Sequence, residues 1–540
     1  MNTVKMNRHA MLDRARNHST QWDIVIIGGG ATGAGVAVDA ASRGFDVLLV
    51  EREDFGKATS SRSTKLVHGG VRYLEQGNVS LVMEALKERG LLRQNAPHLV
   101  HDLAFVVPNY SWWEAPFYGI GMKVYDLLAG KFGFGKSRIL SREETLERLP
   151  TIQTEGLRGG VMYYDGQFDD SRLLIHLIMT AAEHGATVVN YAEVTEIRKG
   201  SDGFVESVEV VDRENGDRFS ATAKVIVNAT GIFTDRVRQL CEPEALSMVE
   251  PSQGIHLVFE RSFLRGETAI MVPHTSDGRV MFAIPWHEHT LVGTTDTPID
   301  GPSYDPLPFE QEIDFVLDTA SLYLSRPPTR GDILSVYTGI RPLVKAGGAG
   351  GKTSALSRDH TIHVDSSGLL TIVGGKWTTY RRMAQDCVDH AITLGSLPET
   401  ECLTHHLKIH GYDDEIDGLS SMGVYGSDAS AIQRLVDDDP ELGKPLHPAL
   451  PYIAAEVVWA VRHEMARTLD DVLARRTRTL FLNSGAAMAM APAVAALMAR
   501  ELNQDDAWVG AQLAAFRTLA VSYQPDSAVK QDQIMKARPL

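Results

Sequence analysis

The 540-residue chain has only three cysteines, Cys241, Cys387 and Cys402, and no C-x-x-C spacing among them. An odd number of widely separated cysteines cannot build a disulfide framework, so we expect free thiols in a reducing compartment. Basic residues are also in deficit, because 53 Lys and Arg face 69 Asp and Glu, a formal charge of −16. This balance argues against a nucleic-acid-binding protein, which would need a basic face. An anionic ligand would be repelled by the overall field and would need a local cluster of cations.

Long hydrophobic runs are absent as well. The most apolar stretch, residues 486–499, is alanine-rich, interrupted by Pro492 and too short to span a membrane. The first twenty residues lack the apolar region of a secretory signal. A weak transit peptide is one interpretation of them, and we expect instead a flexible extension over residues 1–21. The overall composition, 44% hydrophobic and 23% charged, is that of a globular protein large enough for two or three domains.

The most informative local pattern is WDIVIIGGGATGAGVAVDAASRGFDVLLVE at residues 22–51. Gly28, Gly30 and Gly33 give the G-x-G-x-x-G spacing between an apolar strand and a helix. In such a unit the glycines permit a tight turn, close approach of a pyrophosphate and packing of the helix on the strand. The helix N-terminus then attracts the phosphates. Glu51 ends the second strand, where a carboxylate can bind ribose hydroxyls. The unit predicts a dinucleotide site and leaves the choice between FAD and NAD open.

Three further blocks follow in chain order. Residues 58–74, ATSSRSTKLVHGGVRYL, combine hydroxyls that can donate to phosphates with a glycine pair that permits close approach to a flat ring. Within them, Lys65 can serve a cofactor and Arg72 can hold an anion, although a polar surface turn is the structural alternative. Residues 224–231, KVIVNATG, read as a strand that leads into a turn, which is equally an ordinary strand end. Residues 370–381, LTIVGGKWTTYR, place glycines and hydroxyls between a buried strand and a helix, a second anion-binding arrangement.

Alternating strand and helix signals fill the first two thirds of the chain. Short strands in quick succession predict an antiparallel sheet inserted into the nucleotide-binding domain, as a wall over the cofactor; they lie at 255–259, 269–272, 280–284 and 290–292. After about residue 400 the pattern becomes helical, and 453–473 is its strongest segment. We therefore expect an α/β domain over residues 22–400 and a helical domain over residues 401–540.

The four blocks, together with TGIRPL at 338–343 and LSRDH at 356–360, resemble the FAD-dependent glycerol-3-phosphate dehydrogenases. The resemblance covers about residues 22–400 and continues in VRHEMARTLDDVLARRT at 461–477. It implies a Rossmann-like FAD domain with an inserted antiparallel substrate-binding sheet, as in glycine and D-amino-acid oxidases. It also implies that FAD is bound non-covalently. The implied cofactor contacts are Gly28, Gly30, Gly33, Glu51, Thr59, Ser60, Ser61, Ser63, Lys65, Leu66, His68, Gly69, Val194, Ala229, Gly231, Gly375, Lys376 and Thr378.

The family reaction oxidises the C2 alcohol of sn-glycerol 3-phosphate to dihydroxyacetone phosphate and passes a hydride to flavin N5. Such a substrate needs a phosphate clamp, and the planar fork of arginine matches phosphate oxygens. By resemblance, Arg341 is the clamp, supported by Arg72, Arg358 and Lys376. Tyr73 is expected to shape the pocket or to bind the substrate.

For the base, the resemblance points to His256, since histidine titrates near neutrality and can accept the hydroxyl proton. A satisfied core histidine is the structural alternative. Lys376 or Arg341 can instead polarise the forming ketone. His68 is expected to support the flavin rather than to transfer protons.

The electron acceptor expected from bacterial members of the family is a quinone, reached from the inner, cytoplasmic face of the cell membrane as a peripheral protein. The segment 112–139 interleaves aromatic with basic side chains, as at a lipid headgroup interface, although aromatic packing under a loop is an equal alternative. Related oxidases use oxygen, and amine or amino-acid oxidation and non-catalytic flavin binding are further alternatives. No metal site is expected, since the acidic run 437–440 lacks calcium-loop spacing. A homodimer is compatible with the sequence.

Overall fold

The structure is a computed structural model that describes residues 6–71, 74, 77–276, 278–345, 360–416 and 421–529. Arg72, Tyr73 and Arg358 lie outside these residues, so the substrate contacts expected there stay predictions.

The strands in the described parts of the chain are β1 (Trp22–Ile27), β2 (Val47–Val50), β3 (Leu66–Val67), β4 (Val100–Asn109), β5 (Arg138–Leu140), β6 (Gly159–Phe168), β7 (Thr187–Val189), β8 (Ala192–Lys199), β9 (Val205–Asp212), β10 (Arg218–Asn228), β11 (Val249–Glu260), β12 (Thr268–Val272), β13 (Met281–Trp286), β14 (His289–Gly293), β15 (Thr297–Pro298), β16 (Ser335–Val344), β17 (His360–Val364), β18 (Leu370–Gly374), β19 (Pro445–His447) and β20 (Leu450–Ile453). The α-helices are α1 (Arg8–Arg16), α2 (Ala31–Ser42), α3 (Val79–Asn95), α4 (Glu114–Ala129), α5 (Arg142–Arg148), α6 (Asp170–Glu183), α7 (Thr234–Cys241), α8 (Glu310–Tyr323), α9 (Tyr380–Leu394), α10 (Ala429–Asp438), α11 (Ala454–His463), α12 (Thr479–Leu482), α13 (Ser484–Leu502) and α14 (Asp506–Val521).

The first sheet has the spatial order β17-β18-β10-β1-β2-β7, and β18, β10, β1, β2 and β7 run parallel. Strand β2 and the Ile24–Ile27 part of β1 are buried apolar runs, as in a parallel sheet with both faces covered. Helix α2 packs against α6 and α9. The carboxyl ends of β1, β2, β10 and β18 therefore share one edge, the place where open α/β sheets bind ligands.

The second sheet has the order β15-β11-β14-β13-β12-β4-β6-β3, with β16 paired to β11 and β5 paired to β6. Its pairs are antiparallel except for β12 with β4, which run parallel. The expected inserted antiparallel sheet is thus confirmed, and the strands predicted from 255 to 292 are its members. Strand β16 also contacts β18, so it joins the second sheet to the carboxyl edge of the first.

The C-terminal part is mainly helical, with one hairpin formed by β19 and β20. The continuous helix expected over residues 453–473 is wrong: α11 ends at His463, and the backbone turns at Met465 with φ 54° before a helical turn at Asp471–Arg476. The expected interruption at Pro492 is wrong too, because α13 continues through it. Among the described helices, α13 alone has the length and composition to cross a membrane, and almost half of it is buried.

The N-terminal segment is ordered from residue 8, which corrects the expectation of a flexible extension there. Asn7 caps α1 by accepting a hydrogen bond from the Ala10 amide at 3.0 Å. Arg8 is buried and pairs with Asp212 at 2.7 Å, and Arg16 reaches the same carboxylate at 3.3 Å. A buried arginine–carboxylate pair fixes the helix to the end of β9, a contact between residues about 200 positions apart that no local pattern encodes.

Candidate active site

A cavity of about 320 Å³ opens at the carboxyl edge of the first sheet. Two glycines of the phosphate-binding turn are required by sterics. A Cβ at Gly28, where φ is +110°, would lie 2.7 Å from the carbonyl oxygen of Ala229, and one at Gly33 would lie 1.9 Å from the Gly28 oxygen. Backbone is therefore exposed to the cavity at Gly28 while α2 packs closely against the turn.

Glu51 lies on the rim of this cavity, at the end of β2. Its carboxylate accepts hydrogen bonds from the backbone amides of Gly29 at 2.7 Å and Glu53 at 2.8 Å. Burial raises the pKa of Glu51 to about 7, against the lowering effect of these two amide donors. A carboxylate held in this way can accept further hydrogens from ribose hydroxyls.

Most residues expected to bind the cofactor line this one cavity, although they come from five separate stretches of the chain. They are Gly28, Gly30, Glu51, Thr59, Ser60, Val194, Ala229, Gly231, Gly375 and Lys376.

Within the 58–74 block, the expected cofactor contacts Ser61, Ser63 and Lys65 do not line it. Ser61 donates to the carbonyl of Gly56 at 2.8 Å, and Ser63 donates to Asp170 at 2.6 Å. Lys65 is fully buried, with its ammonium 2.8 Å from the Asp170 carboxylate and among three aromatic rings. A buried ammonium must be paired, and here the partner is Asp170, so the Lys65 side chain is directed away from the first cavity; a cofactor contact of Lys65 stays a prediction.

Further along the block, the described stretch from Thr64 to Val71 leads to a second cavity. Leu66 and His68 line it, while the amide of Gly69 donates to the hydroxyl of Tyr125 at 2.8 Å. Thr378 accepts a hydrogen bond from the His68 amide at 3.2 Å. The block therefore passes from the first cavity to the second along a single stretch of backbone.

The second cavity has a volume of about 240 Å³. Strand β16 separates it from the first, since Arg341 lines the second cavity and its neighbour Pro342 lines the first. Successive residues of a strand face opposite sides, so one strand serves both walls. The other residues that line the second cavity are Thr64, Leu66, His68, Gly70, Val71, Phe105, Tyr163, Asp165, Met271, Arg279, Val280, Phe282, Thr294, Thr295 and Asp296.

A cationic cluster forms one end of this cavity. Arg341 donates to the carbonyl of Thr295 at 3.0 Å and the hydroxyl of Thr294 at 3.2 Å, and it lies 3.4 Å from Asp296. Arg279 approaches the other oxygen of Asp296 at 3.9 Å. Two guanidinium groups thus flank one carboxylate. Arg279 was not predicted, because it lies in a turn before β13, outside every motif.

The three predicted catalytic residues occupy different places. Arg341 lines the second cavity and Lys376 lines the first. His256 lies on β11, only 2% exposed, with Nε2 2.9 Å from the hydroxyl of Thr64. Burial, and then the charges of Arg341 and Lys65, hold the pKa of His256 well below its usual value, so the imidazole is neutral.

Comparisons with known proteins identify the family. A family model described as FAD dependent oxidoreductase matches residues 23–381, and one described as the C-terminal domain of alpha-glycerophosphate oxidase matches residues 369–509. The mitochondrial glycerol-3-phosphate dehydrogenase of Macaca fascicularis is 41% identical over 94% of this chain and 74% of its own. The chain belongs to the FAD-dependent glycerol-3-phosphate dehydrogenase family. The solved structures include a Bacillus halodurans glycerol-3-phosphate dehydrogenase complexed with FAD, which is 28% identical with a TM-score of 0.79 and covers 98% of this chain and 100% of that one.

Further relatives agree with this assignment. A mitochondrial glycerol-3-phosphate dehydrogenase of Arabidopsis thaliana is 40% identical over 91% of this chain and 84% of its own. A Geobacillus kaustophilus glycine oxidase, 21% identical with a TM-score of 0.53 over 73% of this chain and all of its own, shares the fold. The expected fold class and FAD as the cofactor of this glycerol-3-phosphate dehydrogenase family member are therefore confirmed.

FAD fits the first cavity on steric and chemical grounds. The turn at Gly28 leaves no room for a side chain, the N-terminus of α2 faces the cavity, and Glu51 presents its carboxylate at the rim. Gly375, with φ +73°, belongs to the opposite wall, where a Cβ would lie 2.4 Å from the sulfur of Met383. When bound, the flavin supplies the hydride acceptor. Gly375 and Lys376, which line the same cavity, are among the residues that would hold the cofactor.

Proposed function

We propose that this enzyme oxidises sn-glycerol 3-phosphate at C2 to dihydroxyacetone phosphate, with the hydride passing to FAD and the electrons onward to a quinone. The observation that carries the proposal is the pair Arg279 and Arg341 at one end of a small cavity that shares strand β16 with the cofactor cavity. By name, the relatives act on this substrate.

The charge balance of the second cavity suits a phosphate dianion. Asp296 is shared by both guanidinium groups and also accepts a hydrogen bond from Ser252. Asp165, the other acidic residue on the wall, pairs with the buried Arg89 and accepts a hydrogen bond from Tyr125. A net positive end therefore remains in a chain whose formal charge of −16 would otherwise repel the substrate.

Anaerobic addition of glycerol 3-phosphate to the purified yellow holoenzyme tests the proposal. We expect the absorbance of oxidised FAD to bleach with glycerol 3-phosphate, and to persist with glycine, proline or unphosphorylated glycerol at the same concentration. Bleaching by an amino acid alone would support the amino-acid oxidoreductase alternative. Persistence with every compound would support the binding-protein alternative.

For the acceptor, we infer contact with a lipid bilayer through helix α4. Trp113 and then Phe117, Ile120, Val124 and Leu127 follow one another at intervals of three or four residues, and all are exposed, Leu127 by 80%. The opposite side of the helix is buried. Exposed apolar stripes of this size mark interaction surfaces, and tryptophan is enriched at lipid headgroups. A quinone dissolved in the bilayer would then be close to the reduced enzyme.

Flotation with anionic phospholipid vesicles tests the membrane surface. The Ile120→Glu/Leu127→Glu variant should lose vesicle binding while FAD content and reduction by glycerol 3-phosphate stay unchanged. Leu322→Glu is the matched control, because Leu322 is 68% exposed on α8, away from the stripe. Equal binding by the wild type and the double variant would contradict the surface assignment. Comparing turnover with a soluble quinone analogue and with oxygen separates a dehydrogenase from an oxidase.

A further inference from the structure

The histidine predicted to be the base is not on the wall of the substrate cavity. His256 is almost fully buried, whereas Thr64 lines the cavity and its hydroxyl lies 2.9 Å from His256 Nε2. Among the described residues, His256 Nδ1 has no hydrogen-bond partner. Within that described set, the hydrogen bond of the imidazole is therefore the one between Nε2 and the Thr64 hydroxyl. The threonine hydroxyl therefore stands between the imidazole and the space that a substrate would occupy.

The position of the imidazole is fixed by its neighbours. His256 pairs with Gly293 of β14 and with Tyr337 of β16, and its ring stacks on the Tyr337 ring at 4.8 Å with an interplanar angle of 15°. A Cβ at Gly293 would lie 2.4 Å from His256 Cδ2, so the residue opposite the ring must be glycine. The imidazole is therefore held between the Tyr337 ring and the strand that carries Gly293.

The same tyrosine fixes the threonine. The Tyr337 hydroxyl donates a hydrogen bond to the carbonyl of Ser63 at 2.9 Å, next to Thr64 in the chain. On its other side, Lys65 is anchored by Asp170 at 2.8 Å. The residues on both sides of Thr64 are thus anchored, and the ring of His256 is fixed by its stacking on Tyr337. Proton transfer between an oxygen and a nitrogen atom needs such fixed positions.

We propose that Thr64 relays the C2 hydroxyl proton of glycerol 3-phosphate to Nε2 of His256. The inference rests on the proposed function and assigns a role to a residue of the same site. With the ring hydrogen on Nδ1, Nε2 accepts the Thr64 hydrogen, and the Thr64 oxygen keeps lone pairs that can accept a hydrogen from the substrate. In the reaction the substrate O–H bond breaks, its proton goes to Thr64 Oγ1, and the hydrogen of Thr64 moves to His256. The C2–H bond breaks with its electron pair, the hydride goes to FAD, and a C2=O double bond forms.

The charges around the pair link proton transfer to substrate binding. Burial first, and then the charges of Arg341 and Lys65, lower the pKa of His256; Lys65 is paired with Asp170, whereas Arg341 lines the substrate cavity. A phosphate dianion bound at Arg341 offsets that charge and makes the imidazole a stronger base. The flat Tyr337 ring stacked on His256 stabilises the imidazolium that results.

The test uses two substitutions at one position in the holoenzyme. Thr64→Val keeps the shape and removes the hydroxyl, whereas Thr64→Ser keeps the hydroxyl. Anaerobic stopped-flow mixing with glycerol 3-phosphate gives the rate constant of flavin reduction and the substrate Kd. We expect Thr64→Val to lower the rate constant about 100-fold or more, the usual size of a lost proton-transfer group, with Kd little changed. Thr64→Ser should stay within about fivefold of the wild type, since the relay atom is kept.

A third variant separates a relay from two independent effects. If Thr64 and His256 act in series, adding His256→Gln to Thr64→Val should slow reduction by no more than about twofold further, as for catalytic residues that act as a unit. Multiplicative losses, or wild-type reduction in Thr64→Val, would overturn the relay. If Thr64→Val fails to retain FAD, Thr64→Ala takes its place in the same comparison. A wild type that glycerol 3-phosphate does not reduce would count against the proposed function, not against the relay.

Discussion

Removing the Arg341 guanidinium should disable substrate capture while leaving FAD bound. The side chain is positioned by Thr295, Thr294 and Asp296 at 3.0–3.4 Å and lines only the second cavity, across β16 from the cofactor. In Arg341→Ala, Asp296 would keep only Arg279 of the two flanking guanidinium groups. One positive and one negative charge would remain, so the clamp loses its net positive charge. Truncating one partner of a buried charge-assisted contact costs about 2–5 kcal/mol. At 1.4 kcal/mol per factor of ten, kcat/KM for glycerol 3-phosphate should fall about 30-fold to 4,000-fold.

The assay is steady-state turnover with a soluble quinone analogue, together with the flavin absorbance per protein. Arg341→Lys should recover part of the loss, because the charge returns without the planar fork. Arg330→Ala is the control, since Arg330 forms an exposed ion pair with Asp314 at 2.9 Å. A kcat/KM within about threefold of the wild type, or release of FAD, would refute the clamp argument.

Three other predictions concern Arg279, Glu51 and Asp54. Arg279→Gln should raise KM for glycerol 3-phosphate about tenfold with FAD content unchanged, because it removes the second guanidinium beside Asp296. FAD should dissociate more readily at pH 6 than at pH 8, since burial raises the pKa of Glu51 to about 7 and the ionised carboxylate is the stronger acceptor of ribose hydrogens. The affinity can change by at most about tenfold per pH unit. Asp54→Asn should lower the free energy of unfolding by about 3–5 kcal/mol, because it leaves the buried Arg475 and Arg476 without their shared carboxylate.

Each of these has a clear contrary result. An unchanged KM would show that the guanidinium of Arg279 does not face the substrate. If the Glu51→Gln variant lost as much FAD affinity between pH 8 and pH 6 as the wild type does, another group would be responsible for the pH dependence. Denaturant unfolding of Asp54→Asn at the wild-type midpoint would mean that the buried arginines find other acceptors.

The parts of the fold and site that the sequence predicts are those set by local spacing. The strand, turn and helix at residues 22–51 follow from apolar periodicity and from the spacing of three glycines, which suits a tight turn beside a phosphate. The short strands from 255 to 292 follow from brief apolar segments in quick succession. By contrast, the pairing of Lys65 with Asp170 joins residues 105 positions apart, and no spacing rule encodes it. Arg279 is likewise brought to Asp296 by the pairing of β13, β14 and β11, not by a motif.

The C-terminal errors have the same origin. The helical pattern over 453–473 is real, but the chain leaves the helix at Glu464, whose carboxylate is bound by the buried Arg172. Further along, Asp471 and Arg475 pair at 2.8 Å within the same buried network. These partners outweigh the small preference of single residues for helix. Pro492 is tolerated because α13 packs against α11 and α14, which offsets the lost backbone hydrogen bond.

The register between β11 and β16 decides which residues meet the substrate. Ser252 pairs with Arg341, and the same serine donates to Asp296, so the clamp and its carboxylate are tied to one rung of the ladder. Four residues along, His256 pairs with Tyr337, the residue that also holds the backbone next to Thr64. A shift by one residue would turn Arg341 toward the cofactor cavity and Pro342 toward the substrate. Substrate recognition therefore depends on the pairing of two strands that lie more than 190 residues after the dinucleotide motif in the sequence. The motif alone could not specify that pairing.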